Sequence, residues 1–146
     1  MTLETRYFGK VEIEEEKIIH FKDGIPGFDE YKDYTIIYDI EEESEPLFSW
    51  LQCITEKNLA FPIVNPFRVK EDFDPVVEDE LLKDLGEFES EDLAVFLLAT
   101  VPSDVTKTTV NMKAPIIVNT KNRQAVQIIV ENYDYEIRHA LLAENK

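Results

Sequence analysis

The chain has 146 residues, of which 44% are hydrophobic, so it is long enough and apolar enough to form one folded domain. Its formal net charge of -16 makes direct binding to nucleic-acid phosphates unfavourable, because like charges repel. A single cysteine excludes an internal disulfide, and no apolar run approaches the roughly 20 residues that cross a bilayer. Since no secretory signal is visible, we expect one cytoplasmic domain over residues 1–146 that binds neither membrane nor nucleic acid.

Short alternating segments in the first 40 residues predict strands that are joined by tight turns. Leu3–Phe8 and Val11–Ile13 alternate between apolar and polar residues, with a predicted hairpin turn at Gly9-Lys10. Lys17–Phe21 predicts a third strand. The β-branched and aromatic run Tyr34–Ile40 predicts a fourth.

A glycine-rich turn, Asp23–Phe28, separates the third and fourth predicted strands. Its two glycines flank a proline, which predicts a tight turn with positive φ at one or both glycines. The segment lacks the Gly-Lys-Ser/Thr ending of a phosphate loop. We interpret Gly24, Pro26 and Gly27 as a structural turn, although a rigid exposed turn is also suited to partner contact.

The segment Pro46–Phe67 contains the only tryptophan and the only cysteine of the chain. Phe48 and Trp50 occupy alternate positions, so they share one face of a predicted strand. A polar loop at Thr55–Asn58 and the apolar run Leu59–Val64 complete a hairpin. Its aromatic face is either core or a partner-binding surface, and the residues alone leave both interpretations open.

Two acidic segments carry most of the negative charge. Asp39–Glu45 has five acids and no base, and Glu71–Asp92 has eleven acids and one lysine. Each is either a solvated surface or a landing site for a basic protein. The candidate contact acids are Glu41, Glu42, Glu43, Glu45, Glu71, Asp72 and Asp74.

The C-terminal half predicts one helix followed by further strands. Val77–Leu85 has apolar residues at helical spacing, and Gly86 is a natural C-cap. Leu93–Val101 is apolar on both faces, which predicts a central strand that is covered on both sides.

Pro115 predicts a kink that only a sheet edge or bulge tolerates. The other predicted strands are Phe67–Val69, Thr108–Met112, Ile116–Asn119 and Gln124–Val130, whereas Tyr133–Leu142 is ambiguous between a strand end and a terminal helix.

About ten short strands and one helix favour an antiparallel barrel or sandwich over a parallel α/β fold. The chain shows no HExxH motif, CxxC motif or nucleophile elbow, so we expect no enzyme activity, metal or cofactor. An enzyme that uses Cys53, or a site at His20 and His139, is the competing hypothesis. It is weakened because Cys53 lies in an apolar strand, where a thiol is usually inert.

Five motifs, taken in order, resemble the FliW family of bacterial flagellar assembly factors. They are FKDGIPGF (Phe21–Phe28), PLFSWLQC (Pro46–Cys53), LAFPIVNPF (Leu59–Phe67), VNMKAPIIVN (Val110–Asn119) and YEIRHALL (Tyr135–Leu142). The chain departs from the family pattern at two places. A glycine is expected near Arg123–Ala125, and serine is more usual than Cys53.

The resemblance implies a mostly β, small antiparallel β-barrel-like domain with one or two short helices and no catalytic activity. It further implies binding to flagellin in the cytoplasm and to the basic RNA-binding regulator CsrA, which relieves repression of flagellin mRNA. Family members do this by partner switching and without competing with RNA. We expect a monomer when no partner is bound.

Flagellin's terminal segments are unfolded before assembly, so their binding calls for an apolar groove or an open strand edge. This requirement points to Phe48, Trp50 and the strand at Pro115. A generic acidic chaperone or RNA mimic without CsrA specificity is the alternative function.

Overall fold

The computed structural model describes residues 1–38 and 48–141, and these residues form eleven strands. The strands are β1 (Thr2–Thr5), β2 (Gly9–Glu12), β3 (Ile19–Phe21), β4 (Asp33–Tyr38), β5 (Ser49–Cys53), β6 (Ala60–Val64), β7 (Leu93–Thr100), β8 (Thr109–Val110), β9 (Ile116–Asn119), β10 (Gln124–Gln127) and β11 (His139–Ala140). Short 3-10 helices span Glu15–Lys17, Pro66–Arg68, Asp79–Leu85, Ser90–Asp92 and Val105–Lys107.

Seven of these strands close into a barrel in the order β7-β6-β5-β4-β3-β10-β9, and β9 pairs with β7 to complete the ring. Six of the seven contacts are antiparallel, and the contact between β10 and β3 is parallel. The prediction of a mostly β, barrel-like domain is therefore confirmed. Ring closure also decides between the barrel and the sandwich that the strand pattern left open.

Apolar side chains fill the barrel interior, as expected for a barrel of this strand number. Phe21 and Tyr34 meet edge to face, with ring centroids 5.4 Å apart. Tyr34 is fully buried, and its burial raises the pKa of its hydroxyl. The interior cluster comprises Ile19, Phe21, Ile25, Tyr34, Leu51, Cys53, Ile63, Ile116, Val118 and Ala125.

Two further clusters cover the outside of the barrel, because several strands are apolar on both faces. One packs Phe73 and Tyr135 over Val64 and Leu97, with the two aromatic rings stacked at 5.4 Å. The other packs Leu85 against β9 and the chain that follows β10. With the interior cluster on its other face, they confirm that the strand predicted at Leu93–Val101, observed as β7 (Leu93–Thr100), is covered on both sides.

The helix predicted at Val77–Leu85 is present as a shorter and tighter 3-10 helix over Asp79–Leu85. Val76 is held in an irregular segment, because its N–H donates to Asn132 Oδ1 at 2.6 Å and its carbonyl accepts from Glu131 N–H at 2.7 Å. Gly86 has φ of 73° and ends the helix, as predicted. Asn119 Nδ2 then donates to the Leu85 carbonyl at 2.8 Å, which anchors this end to the barrel.

Two predicted elements are wrong, and each is explained by a local side-chain hydrogen bond. Phe67–Val69 does not continue a strand, because Asn65 Oδ1 accepts the Phe67 N–H at 2.9 Å and caps the 3-10 helix Pro66–Arg68. Gly9-Lys10 is not the first hairpin turn but part of β2. Thr5 Oγ1 accepts the Phe8 N–H at 2.9 Å and closes the turn before it.

Several strands are shorter than predicted. Thr108–Met112 pairs as a strand only at Thr109–Val110, and Gln124–Val130 only as far as Gln127. The segment Tyr133–Leu142, predicted as either a strand end or a helix, contains the short strand β11, which pairs antiparallel with β8. Leu142 lies outside the described residues.

Arg123 occupies the turn where the family pattern leads us to expect a glycine. It has φ of 63°, a left-handed conformation that glycine adopts without steric cost. Its N–H donates to the Asn119 carbonyl at 2.8 Å, and its own carbonyl accepts from His20 N–H at 2.9 Å. The strained residue thus connects the β9–β10 hairpin to β3 at the point where the barrel closes.

We predict that Arg123→Val is less stable than Arg123→Asn by about 1–2 kcal/mol, because a β-branched residue tolerates positive φ poorly and asparagine tolerates it well. Both variants lose the hydrogen bond from Arg123 Nη2 to the Lys17 carbonyl, so that loss cancels in the comparison. Urea unfolding measures the difference. Equal midpoints and slopes would contradict strain at this position.

Candidate partner-binding surface

Trp50 lies on the outer face of the barrel wall. It pairs with Ile37 on one side and with Pro62 on the other, whereas its neighbour Leu51 points into the interior. Its ring is 5.6 Å from that of Phe8 in the β1–β2 hairpin and 6.4 Å from that of Phe48. Trp50 is only half-buried, so it is both part of the packing and available at the surface.

Phe48 belongs more to the packing than to the open surface. It is half-buried and packs against the outer cluster that contains Val64 and Leu97. The two aromatic rings stay in contact at 6.4 Å, as expected for residues on one face, but their other neighbours differ. Trp50 borders open space, and Phe48 borders a core.

A groove of about 960 Å³ lies between the β1–β2 hairpin and β4. Trp50 and Phe8 contribute apolar surface to it, and Tyr7 and Tyr38 are each 56% exposed at its border. The hairpin wall consists of Tyr7, Phe8, Val11, Glu12, Ile13 and Glu14. The opposite wall consists of Thr35, Ile36, Ile37, Tyr38 and Trp50, and Lys17 and Arg123 complete the lining.

The acidic side chains of the groove have local partners. Glu12 Oε1 is 2.7 Å from the Met1 amino group, and Glu12 Oε2 accepts from the Thr2 hydroxyl at 2.9 Å. These two hydrogen bonds lower the pKa of Glu12. Glu14 lies 3.7 Å from Lys17 Nζ, with both side chains mostly exposed.

The guanidinium of Arg123 is less well satisfied. Its Nη2 donates to the Lys17 carbonyl at 3.0 Å, but its buried Nε has no hydrogen-bond partner in the described part of the chain. Among the residues that the structure describes, no carboxylate lies within ion-pair distance of Arg123. The groove therefore contains an arginine whose charge is not neutralised by these residues.

Gln52 supports the hairpin wall of the groove from behind. This fully buried side chain donates from Nε2 to the carbonyls of Cys53 at 3.1 Å and Lys57 at 3.3 Å. The Lys57 carbonyl also accepts the Arg6 N–H at 3.0 Å. One loop therefore connects β5 to the β1–β2 hairpin and holds the two walls together.

The predicted contact acids fall into two groups. Glu41, Glu42, Glu43 and Glu45 lie outside the described residues. Glu71, Asp72 and Asp74 are all exposed, and Asp72 Oδ1 is 3.0 Å from Lys70 Nζ. A hydrogen bond from Lys70 lowers the pKa of Asp72. The backbone of Asp74 is fixed, since its N–H donates to Tyr135 Oη at 2.8 Å.

The strand that follows Pro115 is not an open edge. β9 pairs with β7 on one side and β10 on the other, and Pro115 is buried. The expectation of an edge or bulge at this kink is therefore wrong. Proline is tolerated because it precedes β9, and its carbonyl accepts the Ile128 N–H at 3.2 Å. A role for Pro115 in partner binding stays a prediction, without an exposed position to support it.

The turn at Gly24, Pro26 and Gly27 combines a fixed backbone with an exposed tip. Both glycines have positive φ, 72° and 90°. A Cβ on Gly24 would lie 2.6 Å from the Asp29 carbonyl oxygen, whereas one on Gly27 would meet open space. Pro26 and Gly27 are exposed, and Ile25 beneath them is buried in the barrel interior.

The residues considered for catalysis are used structurally or lie apart. Cys53 is fully buried, with Sγ 3.5 Å from Thr55 Oγ1. His20 Nδ1 is 2.7 Å from Asp33 Oδ1 on the neighbouring strand, and His139 lies in β11 outside the barrel ring. Over residues 1–38 and 48–141, no group of three histidine, cysteine or acidic residues is placed to hold a metal ion.

Sequence reasoning missed most of the groove. It identified Trp50 but not Tyr7, Phe8, Tyr38 or Arg123. Phe8 ends one predicted strand and Tyr38 lies within another, so their surface positions depend on how the hairpin folds over β4. The one available signal was an arginine where a glycine was expected.

A search of the described residues for a membrane-spanning helix finds none of sufficient length and hydropathy.

Comparison with known proteins identifies the family. Residues 2–141 match the family model described as FliW protein. The chain belongs to the FliW family. It is 47% identical over 139 residues to the flagellar assembly factor FliW of Lachnoclostridium phytofermentans, covering 95% of this chain and 89% of that protein. It is 45% identical over 142 residues to that of Lachnospira eligens, covering 97% and 94%.

The fold agrees with this assignment. A crystal structure of the flagellar assembly factor FliW matches with a TM-score of 0.88 and 31% identity, covering 100% of both chains. The resemblance inferred from the five motifs is confirmed.

We predict that Gly24→Ala destabilises the protein by about 3 kcal/mol or more, because the new methyl group clashes with the Asp29 backbone in addition to the cost of positive φ. Gly27→Ala meets no neighbour and should cost only about 1–2 kcal/mol. Thermal unfolding of the two variants measures the difference. If Gly27→Ala were the less stable variant, the close approach of Gly24 to the Asp29 backbone would not determine the loss of stability.

Proposed function

We propose that this FliW-family protein is a flagellar assembly factor that binds flagellin in the cytoplasm and also binds the translational regulator CsrA. Binding to CsrA relieves the repression of flagellin mRNA, and the two partners exchange on the protein. The observation that carries the proposal is the match over nearly the whole chain to curated flagellar assembly factors, up to 47% identical.

The charge distribution supports the CsrA half of the proposal. A regulator that binds RNA needs a basic surface, and a protein of net charge -16 attracts such a surface and steers its approach. Exposed acids are available at Glu71, Asp72 and Asp74. Only Asp72 among these has an ion pair within the described chain, so most of this charge is free to act on a partner.

The groove supports the flagellin half. Unfolded flagellin segments expose apolar side chains, which need an apolar surface at the binding protein. The groove offers Trp50 and Phe8 beside exposed Tyr38. The acids at Glu71–Asp74 do not line this groove, so CsrA and flagellin have different surfaces available. For one partner to displace the other, the two sites must be coupled or the bound partners must overlap sterically.

Two alternatives make different predictions about the same complex. A generic acidic chaperone would bind flagellin but not CsrA. An RNA mimic would bind CsrA in direct competition with RNA, because its acids would occupy the RNA surface. We propose instead that binding is not competitive with RNA, so the protein should weaken RNA binding without occupying the RNA surface.

Gel-shift titration of CsrA on the flagellin leader RNA tests this function. We expect the protein to co-purify with CsrA and to release the RNA, and added flagellin to restore the CsrA–RNA complex. The effect should persist at saturating RNA, since the inhibition is not competitive. A protein that binds neither CsrA nor flagellin would contradict the proposal, and inhibition that excess RNA abolishes would favour the mimic.

Charge reversal locates the CsrA surface. The triple change of Glu71, Asp72 and Asp74 to lysine should weaken CsrA binding by about tenfold and reduce its salt dependence, because favourable charge pairs are lost. The same should be tested for Glu41, Glu42 and Glu43, whose contribution is equally a proposal. Isothermal titration at two ionic strengths gives both quantities.

The matched control changes Glu4, Glu16 and Glu30 to lysine. These acids are exposed, lie outside both acidic segments, and give the same change in net charge. We expect less than about a twofold loss of affinity from the control, since only local charge pairs are removed in the test variants. An equal loss in all three triple variants would show that net charge alone attracts CsrA.

A further inference from the structure

The edge of β4 that faces the groove is longer than the strand that covers it. β4 pairs with β5 at every residue from Tyr34 to Tyr38. On its other side it pairs with β3 only at Asp33 and Tyr34. Within the described residues, Thr35–Tyr38 therefore have a strand on one side and the groove on the other.

The pairing pattern shows which backbone groups face the groove. Ile54 N–H donates to the Asp33 carbonyl at 2.9 Å, so Asp33 directs its carbonyl toward the β5 side. Because an antiparallel strand alternates its hydrogen-bonding direction, Thr35 and Ile37 also bond to β5. Ile36 and Tyr38 then direct their N–H and C=O groups toward the groove. No backbone hydrogen bond to these two residues on that side occurs among the described residues.

This edge lacks the features that normally protect a free strand edge. Such edges usually carry proline, lysine or an inward charge. Here the sequence Thr35-Ile36-Ile37-Tyr38 carries no charge and no proline, and Tyr38 is 56% exposed. β2 contributes to the facing wall, and among the described residues its pairing partner is β1. A groove that runs along a strand edge suits an extended polypeptide better than a compact ligand.

The charge of the groove indicates the chemistry of that polypeptide. Arg123 has no carboxylate partner within the described chain, although the protein has an excess of acids. Glu12 and Glu14 also line the groove, but Glu12 is hydrogen-bonded to the Met1 amino group and Glu14 lies near Lys17 Nζ. Of the four charged lining residues, Arg123 alone has no partner of opposite charge within the described residues, and a basic protein would add positive charge beside it. A segment that carries an aspartate or glutamate would instead pair with the guanidinium. The occupant is therefore an apolar and acidic segment rather than a basic surface.

We propose that an extended segment of unassembled flagellin adds to the β4 edge as an extra strand, with alternate apolar side chains beside Trp50 and a carboxylate at Arg123. This rests on the proposed function for the identity of the partner. The backbone of Ile36 and Tyr38 supplies affinity that does not depend on the partner's side chains. Trp50 and Arg123 then select which segment binds.

Amide hydrogen exchange by NMR, on the full chain with purified flagellin monomer, tests the added strand directly. The amides of Ile36 and Tyr38 should exchange about tenfold or more slowly when flagellin is bound, because they gain hydrogen bonds. The amides of Thr35 and Ile37 already bond to β5 and serve as the internal control. Flagellin binding without slower exchange at Ile36 and Tyr38 would overturn the added strand and leave the proposed function intact.

A pair of variants separates the backbone from the side chain. Tyr38→Pro removes the N–H that faces the groove and leaves the pairing with β5, whereas Tyr38→Ala removes only the side chain. We expect Tyr38→Pro to bind flagellin about tenfold more weakly than Tyr38→Ala, with CsrA affinity within about twofold in both. Thermal unfolding verifies that both variants are folded.

Equal flagellin affinity for folded Tyr38→Pro and Tyr38→Ala would overturn the proposal. If the Tyr38→Pro variant does not fold, the exchange experiment decides, and unchanged protection of the Ile36 and Tyr38 amides would overturn it. Arg123→Asn, which suits the left-handed turn, should weaken flagellin binding and leave CsrA binding unchanged. An unmodified protein that binds no flagellin at all would instead overturn the proposed function together with this occupant.

Discussion

The parallel pairing of β10 with β3 is the contact on which the rest of this structure depends. It places Gln124 beside His20 and Ala125 beside Phe21, and so connects the C-terminal half to the N-terminal strands. Without it the sheet would be open, and the interior cluster around Phe21 and Tyr34 would lose one wall. Arg123 adopts its strained conformation at this junction, where its carbonyl accepts the His20 N–H at 2.9 Å. Burial of the shared interior is what offsets that strain.

Closure of a small barrel has a second consequence, because it leaves apolar side chains on the outside. The structure covers them with the β1–β2 hairpin, the segment around Phe73 and Leu85, and the C-terminal strand. These short elements leave part of the outer barrel surface uncovered. The groove beside Trp50 is one uncovered region, because β3 has three residues and β4, which it pairs with, has six. Among the described residues, the unpaired edge of β4 follows directly from this difference in length.

The acidic charge lies on the outer surface and is largely unneutralised within the described residues. The ion pairs there, such as Lys70–Asp72 and Lys83–Glu80, are exposed and contribute little to stability. Such a surface favours solubility and encounter with basic partners rather than folding. Stability therefore depends on the three apolar clusters, while the charged surface and the groove remain available for binding. This division of roles accords with a family of assembly factors.

The sequence by itself determined the strands of the barrel, the turn at Gly24 and Gly27, the cap at Gly86 and the family, because these depend on local alternation and on motifs close in the chain. Only the tertiary structure decided the 3-10 form of the segment Asp79–Leu85, the paired state of the strand after Pro115 and the outward position of Trp50. These features depend on contacts between distant residues, such as Val76 with Asn132 and Trp50 with Phe8. Alternation in a strand separates two faces, but ring closure decides which of them is inside and which edge stays free.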